Sequence, residues 1–496
     1  GIYFGYSQLD MFLISVAIAV SAVPEGLPVA MTVILATGVQ RMARRKGVVR
    51  KLIAAEALGS TSIILTDKTG TLTMAKMELS KVLPMNSNTE IGVLKRALIN
   101  TSVVIENPED APHEWRLNGR TLEVALVQSS ALSDVYVNDV RKNTLILNSL
   151  PFNAVNKFSA SLIDEGGKHI IVFFGAPDIF IDHSGLSYEE RINMHDRVNK
   201  LAEEGGLVLG VAIKEINPNK DFDFSKDLVF EDLSLEGLIV LQDPVRPTVK
   251  EAIKDVTRAG IRTIVMSGDH RGTVLSIAKE AGILIHDGGI LDASELRTLS
   301  EEDLKKRLPM LSVVSRVSPL DKLRIVKAFQ EEGEIVAMTG DGVNDAPSVK
   351  QADIGIAMGS GTEVTRDVAD LVLLDDNFET IAAAVEEGRQ IMNNIRKVLV
   401  YLLSSVLDGL ILIGGSLVMG LTLPMNALQI LWVNFFSDSF PAVAFAFEKD
   451  GGGVIVRRKG KKTSLFSPLM KYLILFIGTS TSALLFVLYW FLLKNG

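Results

Sequence analysis

The pattern of apolar and polar positions divides this chain into three parts. Residues 11–38 are almost all apolar or small, a run long enough to cross a bilayer, which takes about 20 such residues. Pro24-Glu25-Gly26-Leu27-Pro28 interrupts it, and Arg41, Arg44, Arg45 and Lys46 close it. Three more apolar runs occupy 398–420, 426–447 and 470–493. Between the first run and the second, short apolar stretches alternate with helix-period segments, as in folds that alternate strand and helix. Ser62-Ile63-Ile64-Leu65, Thr263-Ile264-Val265-Met266 and Ile335-Val336-Ala337-Met338 read as short buried strands. Each runs into a polar turn that bears an aspartate: Thr66-Asp67, Ser267-Gly268-Asp269 and Thr339-Gly340-Asp341. Parallel strands that aim acids at one edge predict an α/β sheet with its site at the strand C-termini. The stretch between the first and second strands is too long for a crossover and predicts an inserted domain over roughly 76–240. No internal repeat or low-complexity tract is visible.

Charge gives the apolar runs a topology. Arg396 and Lys397 precede the second run, and Arg457, Arg458, Lys459, Lys461 and Lys462 separate the third from the fourth. The loop Thr422–Asn426 carries no charge. By the positive-inside rule Gly1 is outside and 44–395 form one cytosolic block. Gly451-Gly452-Gly453 then opens a cytosolic loop, and the last span runs back out. Any single run can be read as a buried core helix; four runs of near-membrane length with matching basic flanks argue against that. Hydrophobic residues make up 47% of the chain, and the excess sits in these runs. The net charge of −8 speaks against a nucleic-acid partner, which needs a basic face. The absence of cysteine excludes disulfides, thiolate metal sites and cysteine nucleophiles. The chain starts at Gly1 with no signal peptide before the first run, and this reads as a cut or incompletely recovered N-terminus.

The aspartate-bearing turns carry the candidate chemistry. Asp67-Lys68-Thr69-Gly70-Thr71-Leu72-Thr73 directly follows the first strand, and an aspartate there can attack phosphorus and form an acyl phosphate. An anionic nucleophile approaching an anionic phosphate needs cations between them, and Mg²⁺ favours a few carboxylates together with phosphate oxygens and water. Asp341 and Asp345, in Thr339-Gly340-Asp341-Gly342-Val343-Asn344-Asp345-Ala346-Pro347, supply the acids. Lys322, in Arg316-Val317-Ser318-Pro319-Leu320-Asp321-Lys322, supplies a positive charge, and Ser267 a strand-end hydroxyl. Strand-end Asp and Ser taken singly are usually turn residues; it is the four elements in this order that point to chemistry.

Asp67 to Thr73, Met266 to Asp269 and Thr339 to Pro347 resemble the three signatures of P-type ATPases, and Asp243-Pro244-Val245-Arg246 resembles that family's hinge motif. The resemblance runs over the whole chain. It implies an α/β haloacid-dehalogenase-like phosphorylation domain in two parts, 44–75 and 241–390, with an inserted α+β nucleotide-binding domain over 76–240. An all-α transmembrane bundle, made of a proline-broken helix at 9–43 and three helices in 391–496, completes the expected architecture. ATP would phosphorylate Asp67; Asp67, the Thr69 carbonyl and Asp341 would hold Mg²⁺; Ser267 and Lys322 would bind the phosphoryl group, supported by Asn344 and Asp345. In the insert, Asn118 to Leu126 is similar to the family's Pro-Thr-Glu-x-Ala-Leu element, which places Glu123 near adenine. Pro151-Phe152 and Lys157 resemble its adenine-stacking Phe and nearby Lys, although Phe152 alone reads as core. Asp269 and Arg316 are further candidate nucleotide contacts. Phe174 and Leu207 stand where the family carries a lysine and an arginine, so fewer cations are expected to face ATP.

Within the first span, prolines free backbone carbonyls, which a membrane tolerates only around a cavity or ligand. Glu25 sits in that break, and an intramembrane carboxylate is by default functional. On the third span Asn434 and Asp438 are spaced i, i+4 on one face of an α-helix, beside Ser437. These are hard oxygen donors for a hard cation. The pattern is similar to calcium pumps: Glu25, Asn434 and Asp438, with the carbonyls of Val20, Ser21 and Val23, match one of their two sites. The other site departs, with Val406 and Gly409 where Asn and Glu are expected. Asp408 lies one position away, about 100° round an α-helix, and its role stays open. One ion per cycle is expected, Ca²⁺ first, with Na⁺, K⁺, H⁺ and Mn²⁺ open. The actuator domain and earlier spans of the family have no counterpart here, so a longer protein or a second chain is expected to carry them. Two other readings stay open: a membrane-anchored phosphatase or phosphotransferase of the same fold, and a transport-incompetent fragment or partner subunit.

Overall fold

The computed structural model describes residues 7–21, 24, 26–153, 155–217, 222–224, 226, 228, 230–448 and 466–495. Its central layer is an eight-stranded sheet. In chain order the strands are β1 (Gly47–Val49), β2 (Ile63–Thr66), β3 (Arg262–Met266), β4 (Ile290–Asp292), β5 (Val313–Ser315), β6 (Val336–Gly340), β7 (Ile354–Met358) and β8 (Leu371–Leu373). They lie side by side as β1-β8-β7-β6-β2-β3-β5-β4. All neighbours are parallel except β1, which pairs antiparallel with β8. Helices cover both faces, so the strands are continuous apolar runs rather than alternating ones. Along β2, Ile64 faces one core cluster while Ile63 and Leu65 face the other. The chain order reverses at β2, with β6 on one side and β3 on the other, and that reversal opens a crevice at the strand C-termini.

The stretch between β2 and β3 forms a separate antiparallel sheet. Its strands lie in the order Glu78–Pro84, Ser234–Gln242, Leu207–Ile216, Lys168–Gly175, Phe158–Glu165 and Leu145–Asn153. The two connections to the central sheet run side by side. Thr73 pairs with Val245, the Met74 N–H donates to Pro244 O at 3.0 Å, and Thr73 Oγ1 donates to Asp243.

The apolar runs are helices: α1 (Gln8–Ser21), α2 (Gly26–Arg44), α5 (Phe378–Val418), α6 (Ala427–Trp432), α7 (Ser439–Ala444) and α8 (Pro468–Asn495). Two others bear on the site, α3 (Leu52–Ser60) and α4 (Pro319–Glu331). Among the described residues, four helical segments are long and apolar enough to span a membrane: Gly26–Arg44, Phe378–Val418, Ala427–Phe447 and Pro468–Asn495. Three details differ from the sequence expectation. Pro28 lies inside the first turn of α2, where its missing N–H has no helical partner to lose, so the break falls between Ser21 and Gly26. The helix α5 begins at Phe378 and passes without interruption through position 391, the expected start of the membrane part; its 41 residues extend roughly 60 Å. Between α6 and α7, Val433–Asp438 form a π-helical turn instead of continuing the α-helix. Gly451 to Gly453 and the basic residues 457–462 lie outside the described residues.

Glycines set how α3 crosses α5. A Cβ on Gly59 would sit 2.4 Å from Gly388 O, and one on Gly388 would sit 2.6 Å from Gly59 N. Only two glycines allow that approach. The crossing presses the start of the long rod against the helix that leads into β2.

Candidate active site

The register of the central strands assembles the site. Leu65 of β2 pairs with Met338 of β6, and Thr66 with Val265 of β3. Asp67, Thr339 to Asp341 and Ser267 therefore leave adjacent strands at one level. The Asp67 N–H donates to Thr339 Oγ1 at 3.1 Å, and Thr339 Oγ1 donates to Thr66 Oγ1 at 3.1 Å. After Asp67 the chain turns sharply: Thr69 is extended (φ −72°, ψ 134°) and Gly70 has φ +73°. A Cβ at Gly70 would lie 3.2 Å from Asp341 Oδ2. Arg246 clamps this turn by donating to Gly70 O and Thr73 O, each at 3.0 Å.

Asp67 is fixed on both oxygens. Oδ1 accepts from the Lys68 N–H at 2.7 Å, and Oδ2 lies 2.9 Å from Lys322 Nζ. Lys322 comes from α4, whose capping box of Ser318 and Asp321 sets the helix start. Its ammonium also reaches Asp345 Oδ1 at 2.7 Å. Asp345 turns its second oxygen to the Gly342 N–H at 3.3 Å. Burial pushes the Asp67 carboxyl up to about 6; Lys322 opposes that rise and the charge of Asp345 adds to it. Burial also raises Asp341, again with Asp345 adding. Burial disfavours the Lys322 charge, but Asp67 and Asp345 together hold its pKa above the ordinary lysine value.

Asp67, Asp341 and Asp345 offer oxygens that all lie within 4.8 Å of one another. Three carboxylates face one lysine, so the site is short of positive charge by two when all three are ionised. That deficit and an all-oxygen donor set fit a hard divalent cation such as Mg²⁺.

The other sequence candidates fall around this centre in different ways. Ser267 is 3% exposed, and its Oγ accepts from the Asp269 N–H at 3.2 Å. Asp269 pairs with Lys68, a residue that the sequence reading passed over. Arg316 meets His270 and has φ +55°. Asn344 is exposed on the loop between Asp341 and Asp345. Thr339 and Arg246 were also missed as site residues. Their motifs were noticed, but which side chain of each motif turns to Asp67 is set only by the register.

On the helix Thr121–Ala131 of the insert, Glu123 is 4% exposed, with both oxygens taken: Oε2 accepts from the N–H and Oγ of Ser102 at 2.9 Å, and Oε1 from Arg120 at 3.0 Å. Arg120 in turn lies 3.5 Å above the half-exposed Phe152 ring. Glu123 thus orients Arg120 on the ring, a link hidden in the sequence because Arg120 and Phe152 lie on different elements. Lys157 makes a tight turn (φ +58°) whose carbonyl would lie 2.4 Å from a Cβ at Gly175. Phe174, which stands where the resemblance implies a lysine, is 6% exposed in a core with Leu126, Val172 and Val211. Both faces of its strand are covered, Phe173 packing into a second cluster with Phe158 and Phe180. Leu207 is 39% exposed at the start of its strand.

Among the membrane residues, Val23 and Glu25 lie outside the described residues. Val20 and Ser21 end α1, so their carbonyls are among the last four, which have no acceptor role within the helix. Asn434 and Asp438 sit at the π-helical turn, so the expected α-helical face is replaced by a wider loop of backbone. They still line one cavity of about 180 Å³, together with Ser405 and Asp408 of α5.

Comparison with known proteins gives a consistent result. Residues 61–353 match a family described as haloacid dehalogenase-like hydrolase, and residues 422–496 match the C-terminus of cation transporting ATPases. The chain is 38% identical over 92% of its length to a calcium-transporting ATPase of Bacillus subtilis, covering 55% of that protein. It is 39% identical over 89% of its length to calcium-transporting ATPase 1 of Lactococcus lactis, covering 52%. A probable cation-transporting ATPase F of Mycobacterium bovis is 34% identical over 90% of the chain, which covers 54% of it. The chain thus spans about half the length of the curated relatives it matches. A crystal structure of a zinc-transporting PIB-type ATPase in its E2.Pi state shares the fold, with a TM-score of 0.60 and 22% identity, over 85% of this chain and 55% of that one.

Proposed function

This chain belongs to the haloacid dehalogenase-like hydrolases and, within them, to the P-type cation-transporting ATPases, and from that premise we propose that it carries the phosphorylation site and part of the cation pathway of an ATP-driven pump. The observation that carries the reading is Asp67 itself. It stands at the C-terminal end of the central strand, with one oxygen held by a backbone N–H and the other by Lys322, beside two further acids.

Asp67 attacks the γ-phosphorus of ATP through a carboxylate oxygen. The new O–P bond forms as the bond from phosphorus to the β,γ-bridging oxygen breaks, and ADP leaves with that electron pair. Lys322 moves its charge from the carboxylate toward the phosphoryl oxygens, while Asp345 keeps its ammonium in place. Ser267 is placed to donate to the transferred group from the end of β3. Asp67, Asp341 and the Thr69 carbonyl would hold Mg²⁺, which neutralises phosphate charge when bound. Phe152, Lys157 and Arg120 face the nucleotide, Arg120 moving off the ring as a base stacks on it. Asp269 and Arg316, at the rim of the crevice between the two sheets, are the remaining nucleotide contacts.

The cation is Ca²⁺ in this reading, supported by the oxygen donors Asn434 and Asp438 and by the names of the relatives. Labelled ATP with Mg²⁺ should give an acid-stable, hydroxylamine-labile adduct on the wild type and none on Asp67→Asn, since an amide is no nucleophile at phosphorus. Labelling that persists in Asp67→Asn sinks the assignment.

A further inference from the structure

We propose that Asp408 is a direct ligand of the transported cation and that Ser482 of α8 positions it. The inference rests on the reading of the chain as part of a cation pathway. It goes beyond that reading because Asp408 then joins a site otherwise drawn without it, and brings in a third helix.

Asp408 lies on α5 and borders the same cavity as Asn434 and Asp438, although it is offset from the positions at which the sequence comparison places oxygen ligands. Those positions, Val406 and Gly409, also border the cavity and carry no side-chain oxygen. A cavity wide enough to touch 406, 408 and 409 spans more of the helix than one ligand position, so the 100° offset does not take Asp408 away from it. Ser482 is fully buried, and its hydroxyl reaches both Asp408 Oδ1 at 3.0 Å and Gly478 O at 2.5 Å, so its one proton is shared between the carboxylate and its own helix and ties Asp408 to α8. The other carboxylate oxygen is left for a ligand.

The charge balance points the same way. Two carboxylates, Asp408 and Asp438, share a space of about 180 Å³ among apolar helices, and neither has a basic partner among the described residues. An unpaired acid in a span is costly, and two facing each other are more so. A cation between them removes both costs. Asn434 Nδ2 is buried without a hydrogen-bond partner among the described residues, so that end of the amide is left for something other than the protein. The cavity holds a few molecules at about 30 Å³ for each water, enough for one ion with residual water. Four side-chain oxygen donors, Ser405, Asp408, Asn434 and Asp438, suit a divalent ion that takes 6–8 oxygens in flexible geometry.

The test uses the full-length protein in proteoliposomes, with Ca²⁺ titrated against ATP-dependent phosphoenzyme formation and against the Ca²⁺-induced rise in melting temperature. Asp408→Asn should raise the half-saturating Ca²⁺ about tenfold or more, and Asp408→Glu should recover part of the loss. Ser482→Ala should give a smaller rise, as expected of a positioning residue. Gly409→Glu placed in the Asp408→Asn background should restore affinity, since a Cβ at 409 meets no atom within 4 Å and the position borders the cavity. The Ca²⁺-free melting temperature of each variant reports folding separately. If Asp438→Asn abolishes the Ca²⁺ response while Asp408→Asn leaves it unchanged, the role of Asp408 is overturned and the pump reading stands. If neither substitution changes it, the cation site and this inference fall together. If the wild type responds to Mn²⁺ and not to Ca²⁺, the same titrations with Mn²⁺ decide the question by the same criteria.

Discussion

At the scale of single residues, the site stores charge imbalance. Asp67 is buried beside Asp345 with one lysine between them, and its pKa stands near 6 against 3.8 for a free side chain. A raised carboxyl pKa means that folding favours the protonated form. The associated stability is full below about pH 4 and is lost as pH rises through about 6. At pH 7.5 without Mg²⁺, Asp67→Asn should therefore be more stable than the wild type, by about 1–3 kcal/mol from a shift of this size. Melting curves at both pH values check it: an advantage that persists undiminished at pH 4 contradicts the raised pKa. Mg²⁺ at pH 7.5 should narrow the gap by stabilising the wild type more. Phe174 yields a prediction of another kind. Phe174→Lys would empty an aromatic position in a closed core and bury an ammonium. The expected cost is roughly 3–5 kcal/mol, seen as a lower melting temperature and faster proteolysis of the insert, with no gain in ATP affinity. Leu207→Arg, at an exposed strand start, should stay within about 0.5 kcal/mol.

At the scale of elements, one rod links the two ends of the molecule. Phe378, at the head of α5, is fully buried against the central sheet, and the same helix carries Asp408 into the membrane part. In the pump reading, such a helix would pass a rigid displacement from the Asp67 site to the cavity beside Asp408, provided its seat on α3 holds. The seat depends on Gly59 and Gly388. Gly388→Ala would press a methyl into the backbone of α3 and should cost about 1–3 kcal/mol, with weaker coupling between Ca²⁺ and phosphoenzyme formation. Gly414→Ala, further along the same helix, meets nothing within 4 Å and should be neutral or stabilise by up to about 1 kcal/mol through helix propensity. Equal melting temperatures for the two variants would show that the crossing has slack. The π-helical turn at 433–438 is the other element that matters. It interrupts the regular backbone beside the cavity, a common place for such a bulge.

At the scale of the whole molecule, local pattern and long-range assembly divide the explanation between them. The apolar runs, the three strands that end in aspartate and the length between the first two were legible from residue order, because burial on both faces and the needs of a bilayer leave a mark on every few residues. Asp67, Ser267, Lys322, Asp341 and Asp345 stood out for the same reason: each follows a strand or opens a helix in a short, recognisable segment. What residue order could not convey is which distant side chains meet. That Lys322 bridges Asp67 and Asp345, that Thr339 receives the Asp67 N–H and that Arg246 grips the Gly70 turn all follow from strands placed side by side in a non-sequential order. The burial of Phe174 was not legible in the sequence, because a strand residue can face either of two layers, and only the packed insert shows that both are closed. The turn at 433–438 was read as α-helix because the i, i+4 spacing of Asn434 and Asp438 carries no trace of one extra residue in the turn. By itself the sequence determined the architecture and singled out Asp67 as the candidate nucleophile, since those depend on local periodicity and on the types of residue at strand ends. Only the tertiary structure decided the partners of each charge and the place of Asp408 beside Asn434 and Asp438, because electrostatic balance is a property of neighbours in space and not of neighbours along the chain.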